Sequence, residues 1–408
     1  MMKQEKIYIR EAEDLMSDFA ERTGLTSEKE QDRYLWTDAF AVCNFQGLAR
    51  VAANKDFSAI ALKLIEEVHN TLGRHRDDDP REGWISGLGD RKGKLNPTAG
   101  GLRIGKRLPE RAAGEPLDRH IEWERDGQYF HYLTKWMHAL DITARQICDT
   151  SYLAWACQLA HAAGNSFIYI NKSGDLRMYW KMSVDLSRPQ VESMGHHDPL
   201  DGYVTSEQIR ATSGTFPEKR GDTTPGSCDN MDEQVHVYYG MLRGKSLETV
   251  DPLGIGGLLM DATRLAQLIA MDKSENEELL HEILTASAAG LASWDASDAM
   301  NNPPTRRLPF RELGLAIGLR GISWVSEELL PSLATGGGGR TGMQRVQRYF
   351  PLAEDIISLW LDPDNQTATT WTEHRNINSV MLATALEPSG FLLLPEVPSS
   401  DQTEQTGE

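Results

Sequence analysis

The residues best placed by type and spacing to do chemistry lie between Thr71 and Arg145. That stretch opens as TLGRHRDDDPREGWISGLG and ends as IEWERDGQYFHYLTKWMHALDITAR. His75 stands between two arginines and is followed by three acids and a proline, which marks a helix end and a polar loop. In the second half, Asp126, Phe130, Leu133, Met137 and Leu140 recur at three-, four- and seven-residue steps. A helix starting near Glu122 would carry them on one stripe, with Glu122 one turn from Asp126. Two carboxylates on an apolar stripe cost desolvation energy unless something pairs or uses them. Their Cβ atoms would lie roughly 5–6 Å apart, close enough to share a proton or bind one polar ligand, and acid–base chemistry would need Asp38 as the facing acid from another helix. The structural alternative is that Asp126 pairs with Arg125, Arg74 or Arg76 to fix the loop, while Glu122 favours a helix N-terminus.

Histidine offers rival chemistry. Removing a proton next to a carbonyl needs a base poised near neutral pH, and His75, His131, His196, His197, His236 and His374 are available. His131 and His138, seven residues apart, project away from the Leu133 stripe together with Glu124. They are functional if that face lines a pocket and surface residues if it faces water. The run HHDPLDG at 196–202 holds two His and two Asp. Adjacent loop histidines lack the i, i+4 spacing that sets two metal ligands on one helical face, so no metal is expected. Glu373-His374-Arg375 opens the last helix, where capping competes with a pocket role for His374. Arg76, Arg103 and Arg177 could hold polar or anionic substrate groups. Trp84, Trp123, Tyr129 and Trp180 could stack on a sugar ring, with core packing the alternative for each. There is no GxSxG elbow, no Walker loop and no GxGxxG after a strand, and no cofactor is expected.

Forty per cent of the 408 residues are hydrophobic, enough for a sizeable core. The formal charge of −18 repels nucleic acid and anionic membranes, so neither is an expected partner. The basic cluster Lys92, Lys94, Arg103, Lys106 and Arg107 sits in a Gly-rich loop. It suits a small anionic ligand better than a duplex, against a solvated loop as the plain alternative. The four cysteines make no disulfide scaffold, and Cys43 and Cys157 read as buried thiols in helical patterns. With no signal-peptide run and no window of about 20 apolar residues, a cytoplasmic, reducing environment is the default.

Periodicity gives helices over 8–22, 29–54 and 56–72, the last with Glu66, Glu67 and His69 outward. Further helices follow from Glu122 to Arg145 and over 149–169. Asn171–Asp185 reads as a short β-hairpin, 187–201 as a loop, 205–211 as a helical turn and 213–229 as another loop. Helices resume over 231–243, 257–271, 275–292, 310–333, 340–361 and 372–386, with GGGG at 336–339 a flexible break. The tail 398–408 is polar and expected to be disordered.

The helix RYLWTDAFAVCNF, together with about twelve helices in hairpin pairs, resembles the six-hairpin (α/α)6 toroids of glycoside hydrolases and N-acylglucosamine 2-epimerase-like enzymes. GRHRDDDPREGWISGLG, GGLRIGKRLPER, RMYWKMSVDLSRP and MGHHDPLDG resemble one bacterial group within that superfamily. The resemblance implies an all-α (α/α)6 toroid, a single domain over 1–397, with long loops at one rim and a short β-hairpin. It also implies a carbohydrate-active enzyme working on a small sugar or oligosaccharide. A glycoside hydrolase using Asp38 and Asp126 is the first expectation, and a sugar isomerase or 2-epimerase using His75, His131 or His374 is the second. A sugar-binding or scaffold protein is the third. The paired histidines of the epimerases cannot all be placed, and no hydrolase carboxylate motif matches.

Overall fold

The computed structural model describes residues 2–216, 228, 231–329 and 337–397. Helices dominate and the strands are two or three residues long, so the chain is all-α, as the six-hairpin resemblance implies. The described residues fall into two compact units, each assembled from separate stretches of chain.

One unit gathers Met1–Gln31, Cys43–Ala61 and Gly244–Leu393. Here Pro252–Ala270 packs on Pro309–Trp324 and on Glu277–Asp295, and Met2–Arg22 packs on Arg375–Leu386. The first contact is close because Gly256 faces Gly314 and Gly318, where a Cβ on Gly256 would come within 2.2 Å of the Gly314 carbonyl oxygen. Pro252–Ala270 is long and apolar enough to cross a membrane, against the expectation that no such window exists, but 78% of it is buried within the protein. One buried ion pair in this unit is well bonded. Arg307 grips Glu312 at 2.7–3.0 Å, and the Trp360 indole donates to the same carboxylate at 2.8 Å. The expected break at 336–339 is corrected, since Gly337–Gly339 open the Gly337–Gln347 helix; Gly336 lies outside the described residues. The helix expected over 340–361 is two, Gly337–Gln347 and Phe350–Leu361. Pro351 near the start of the second cannot sit inside a continuous helix.

The other unit gathers Asp32–Val42, Leu62–Arg243 and the residues from Leu394. Phe130–Ile147 packs on Thr150–Phe167 and Asp198–Ser213, and the last of these packs on Met231–Leu242. The expected hairpin is present as Ile168–Ile170 paired antiparallel with Leu176–Met178. A second sheet, in the order Gln128–Tyr129, Lys181–Met182, Pro189–Val191, pairs Tyr129 with Lys181. That sheet overturns the expected helix from Glu122. Gly127 takes φ +149°, a conformation glycine alone adopts readily, and the chain turns there into the strand, so the helix starts at Phe130. Glu122 and Asp126 therefore share no helical stripe.

Two further corrections fall in this unit. Cys157 is bonded to Cys228, not a free thiol, with Cα atoms 5.4 Å apart and 71 residues of separation. A loop of that length is worth roughly 4 kcal/mol through the entropy of the unfolded chain. The reducing-environment expectation loses the support it drew from that thiol, since disulfides persist in oxidising compartments. His69 points inward and accepts from the Trp136 indole at 3.1 Å, and burial drives its pKa down to about 3. The expected tail from 398 lies outside the described residues.

Candidate active site

The acids singled out by spacing are tightly bonded. Asp126 is fully buried, and Arg103 donates to its Oδ2 at 2.5 Å. Its Oδ1 accepts the backbone N–H groups of Gly105, Lys106 and Gly127 at 3.1–3.3 Å. Arg76 Nη1 comes to 4.0 Å. Glu122 is held by Arg111 at 3.0 Å and by the buried Lys181 ammonium at 3.0 Å. These bonds fasten the 100–128 loop, as the structural alternative for Asp126 anticipated, though Arg103 is the main partner rather than Arg125, Arg74 or Arg76. Arg103 spends its other nitrogens on the carbonyls of Thr71 and Arg74. Arg76 forms a two-point pair with Asp78 at 2.6 and 2.9 Å.

Asp38 is buried. It reaches back one turn to accept the Tyr34 N–H at 2.9 Å, with Arg33 at 3.7 Å. Burial lifts its pKa to about 6 despite the Arg33 charge. His75 Nδ1 sits 3.9 Å from Asp79, and burial, then the charge of Arg81, holds its pKa below the usual value.

A different constellation forms where Phe130–Ile147 meets Asp198–Ser213. Asp198, at the first turn of its helix, is buried, and its Oδ2 has no hydrogen-bond partner. His131 Nδ1 lies 3.7 Å from its other oxygen and is also without a hydrogen bond. Burial, reinforced by the charge of Asp201, raises the Asp198 pKa to about 7. Burial lowers that of His131 to about 4, although its side chain keeps 30% of its exposure. Asp201, one turn on, is saturated: Thr134 donates at 2.5 Å and Lys135 to both oxygens at 2.7 Å. At neutral pH the pair is thus a neutral imidazole beside a half-protonated carboxyl, two groups able to exchange protons with a bound molecule.

Aromatic rings flank this pair. Tyr129 stacks on His131 with centroids 5.4 Å apart, and Trp180 lies nearly parallel to His131 at 6.2 Å. Trp123 meets the edge of Trp180 at 4.4 Å and is half exposed. Tyr132 stands perpendicular to His131, and its hydroxyl shares a 2.7 Å hydrogen bond with Tyr34. The expected stacking residues Trp123, Tyr129 and Trp180 therefore gather beside His131.

The remaining candidates lie elsewhere. Trp84 is buried under the Arg74 guanidinium, and Arg177 pairs with Tyr169 in the hairpin. His196 and His197 touch each other at the start of the Asp198 helix. His374 precedes Arg375–Leu386 in the other unit, near Phe310. No group of three or more metal-binding side chains occurs among the described residues.

His131 and the HHDPLDG run stand out in the sequence, but spacing predicts a loop over 187–201 and only a helical turn over 205–211. Asp198–Ser213 is a helix of 16 residues, nearly all buried. It carries no apolar stripe because it is enclosed on nearly every side and most of its polar groups are bonded, Asp198 Oδ2 excepted. Gln208 bridges His138 and Asp141 at 2.9 and 2.6 Å, and Arg145 donates to Thr212 at 2.8 Å. Proline at its second position was the available signal. Lys135, Thr134, Tyr34 and Tyr132 were missed outright.

No family model matches the chain, and no curated protein does. Among solved structures it is similar to the crystal structure of a sugar epimerase from a ruminal bacterium. That likeness has a TM-score of 0.44 at 9% identity and covers 86% of this chain and 87% of the other.

Proposed function

We propose that the chain is a sugar-processing enzyme whose His131 and Asp198 move a proton at the carbon next to a carbonyl, as an aldose–ketose isomerase or 2-epimerase does. One observation carries the reading. A buried carboxyl with a vacant oxygen stands 3.7 Å from a neutral, partly exposed imidazole, beside an aromatic shelf. A sugar lying against Trp180 and Trp123 would bury its C–H face there. His131, deprotonated at neutral pH, is the base. Asp198 in its protonated form delivers the proton to the carbonyl oxygen or the neighbouring carbon. Because the two groups sit side by side, transfer runs along one face of the substrate: aldose–ketose isomerisation needs no movement of the enediolate, whereas 2-epimerisation requires it to turn over and take its proton on the opposite face.

Hydrolysis, the first expectation from sequence, has weaker support. A glycosidase needs two free carboxyls about 5–5.5 or 6.5–9.5 Å apart. Asp126, Glu122 and Asp201 are each committed to cations. The substrate is a free sugar small enough for the shelf, with no nucleic acid or membrane involved.

The test is proton exchange in D2O, followed by NMR at C2 across a panel of free aldoses and ketoses. Wild-type protein should wash deuterium into one of them, and His131→Ala and Asp198→Asn should each slow that by roughly 10²–10⁴-fold. Release of reducing sugar from a glycoside, with no exchange into any free sugar, would overturn the reading in favour of hydrolysis.

A further inference from the structure

A second recess lies in the same unit, lined by neither His131 nor Asp198. It is an open groove of about 700 Å³. That is within the range of small-molecule sites, about 300–1,000 Å³. Its walls are apolar: Ile65, Leu95, Trp84, Tyr152 and Trp155. Leu95 keeps 65% of its surface in water, which few large apolar side chains among the described residues do. Trp155 is fixed by its indole donating to the Leu95 carbonyl at 3.1 Å and by its edge-on contact with His69. Trp84 is 2% exposed, yet its Nε1 has no hydrogen-bond partner. Its ring packs close against Gly93, where a Cβ would come within 2.5 Å of that nitrogen.

The rim carries Lys63, Arg91 and Lys94 against one carboxylate, Glu66. Lys63 is shared with Glu67 at 3.7 Å, whereas Arg91 and Lys94 are exposed and pair with no acid among the described residues. On a chain whose formal charge is −18, such a cationic edge over an apolar, aromatic trough is out of character. It accounts for part of the basic cluster that the sequence pointed to and that the proton-transfer site leaves unused.

We propose that this groove binds an anionic amphiphile. Its apolar body would lie between Ile65, Trp84 and Trp155, and a carboxylate or sulfonate head would rest on Arg91 and Lys94. Guanidinium and ammonium groups recognise such heads by charge-assisted hydrogen bonds, and the surrounding acidity of the chain discriminates against anions that lack the apolar body. The inference is independent of the proton-transfer reading.

The experiment titrates the full chain with 8-anilinonaphthalene-1-sulfonate, following dye emission and quenching of tryptophan. Saturable one-to-one binding is expected. The double variant Arg91→Glu/Lys94→Glu should weaken it at least tenfold at unchanged Tm, since both side chains are exposed. Decanoate should displace the dye, and decanol at the same concentration should not. Three results would each overturn the proposal: no saturable binding, wild-type affinity in the double variant, or equal displacement by decanol.

Discussion

Two carboxylate-bearing regions lie in the same unit and treat their acids in opposite ways. Around Asp126 and Glu122 the carboxylate oxygens are matched to cations or backbone N–H groups, and Lys181 is buried with them. Around Asp198 one oxygen and the facing imidazole nitrogen are left unmatched. Lys181 marks the boundary, since its ammonium also sits 5.6 Å from the Tyr129 ring at the edge of the shelf. A buried charge that is fully bonded positions a loop. A buried titratable group that is under-bonded keeps capacity for a ligand and costs stability until one arrives.

The contrast breaks most sharply at the level of rate. If the under-bonded pair does the chemistry, kcat/KM should be bell-shaped in pH, with limbs near the pKa values of about 4 and about 7. Asp198→Asn should lower the plateau by roughly 10²–10⁴-fold and erase the alkaline limb. An unchanged profile in that variant would move the acid elsewhere.

Next in size is the loop region. Asp126→Asn leaves the buried Arg103 charge uncompensated and should cost roughly 3–5 kcal/mol in urea unfolding, with any fall in activity following the loss of folded protein. A variant that stays as stable as wild type but is inactive would make Asp126 chemical after all.

Stability against pH gives a smaller effect of opposite sign. The folded Asp198 pKa lies above its unfolded value of 3.8, so the folded chain holds a proton that the unfolded chain has released. Stability should therefore fall as pH climbs from about 4 to about 7 and stay low above that. Asp198→Asn should relieve that cost, on the order of 3 kcal/mol, at pH 8 but not at pH 4. Urea midpoints at the two pH values measure it, and equal shifts at both would contradict the assignment. The smallest effect is at the shelf's exposed end. Trp123→Ala should raise KM by about fivefold, the loss of roughly 1 kcal/mol of ring stacking, with kcat little changed.

The helical class was legible from periodicity, and helices such as 55–72 and 150–167 lie within a few residues of where spacing placed them. Part of the candidate site is legible too. Trp123, Tyr129 and Trp180 are readable from their types as stacking residues, and His131 as a base on a face that lines a pocket. The acids are not. Spacing puts Asp126 on a helical stripe because a strand of two residues has no periodicity, and the break comes from a single glycine, Gly127. Asp198 was hidden because periodicity detects a helix by the contrast between its faces, and a helix enclosed on all sides has none. The disulfide was invisible for a related reason. Cys157 sits in an apolar helix, and its partner is 71 residues away in a stretch without periodic signal.

That enclosed helix has a further consequence. Many of its contacts with Phe130–Ile147 are polar and directional: Asp201 to Thr134 and Lys135, Gln208 to His138 and Asp141, Thr212 to Arg145. Greasy side chains tolerate a sliding neighbour, whereas each of these bonds is satisfied at one axial setting only. The helix behaves as a keyed shaft. The distance from His131 to Asp198 is set as much by Gln208, about 15 Å further along at 1.5 Å per residue, as by anything beside the reacting pair.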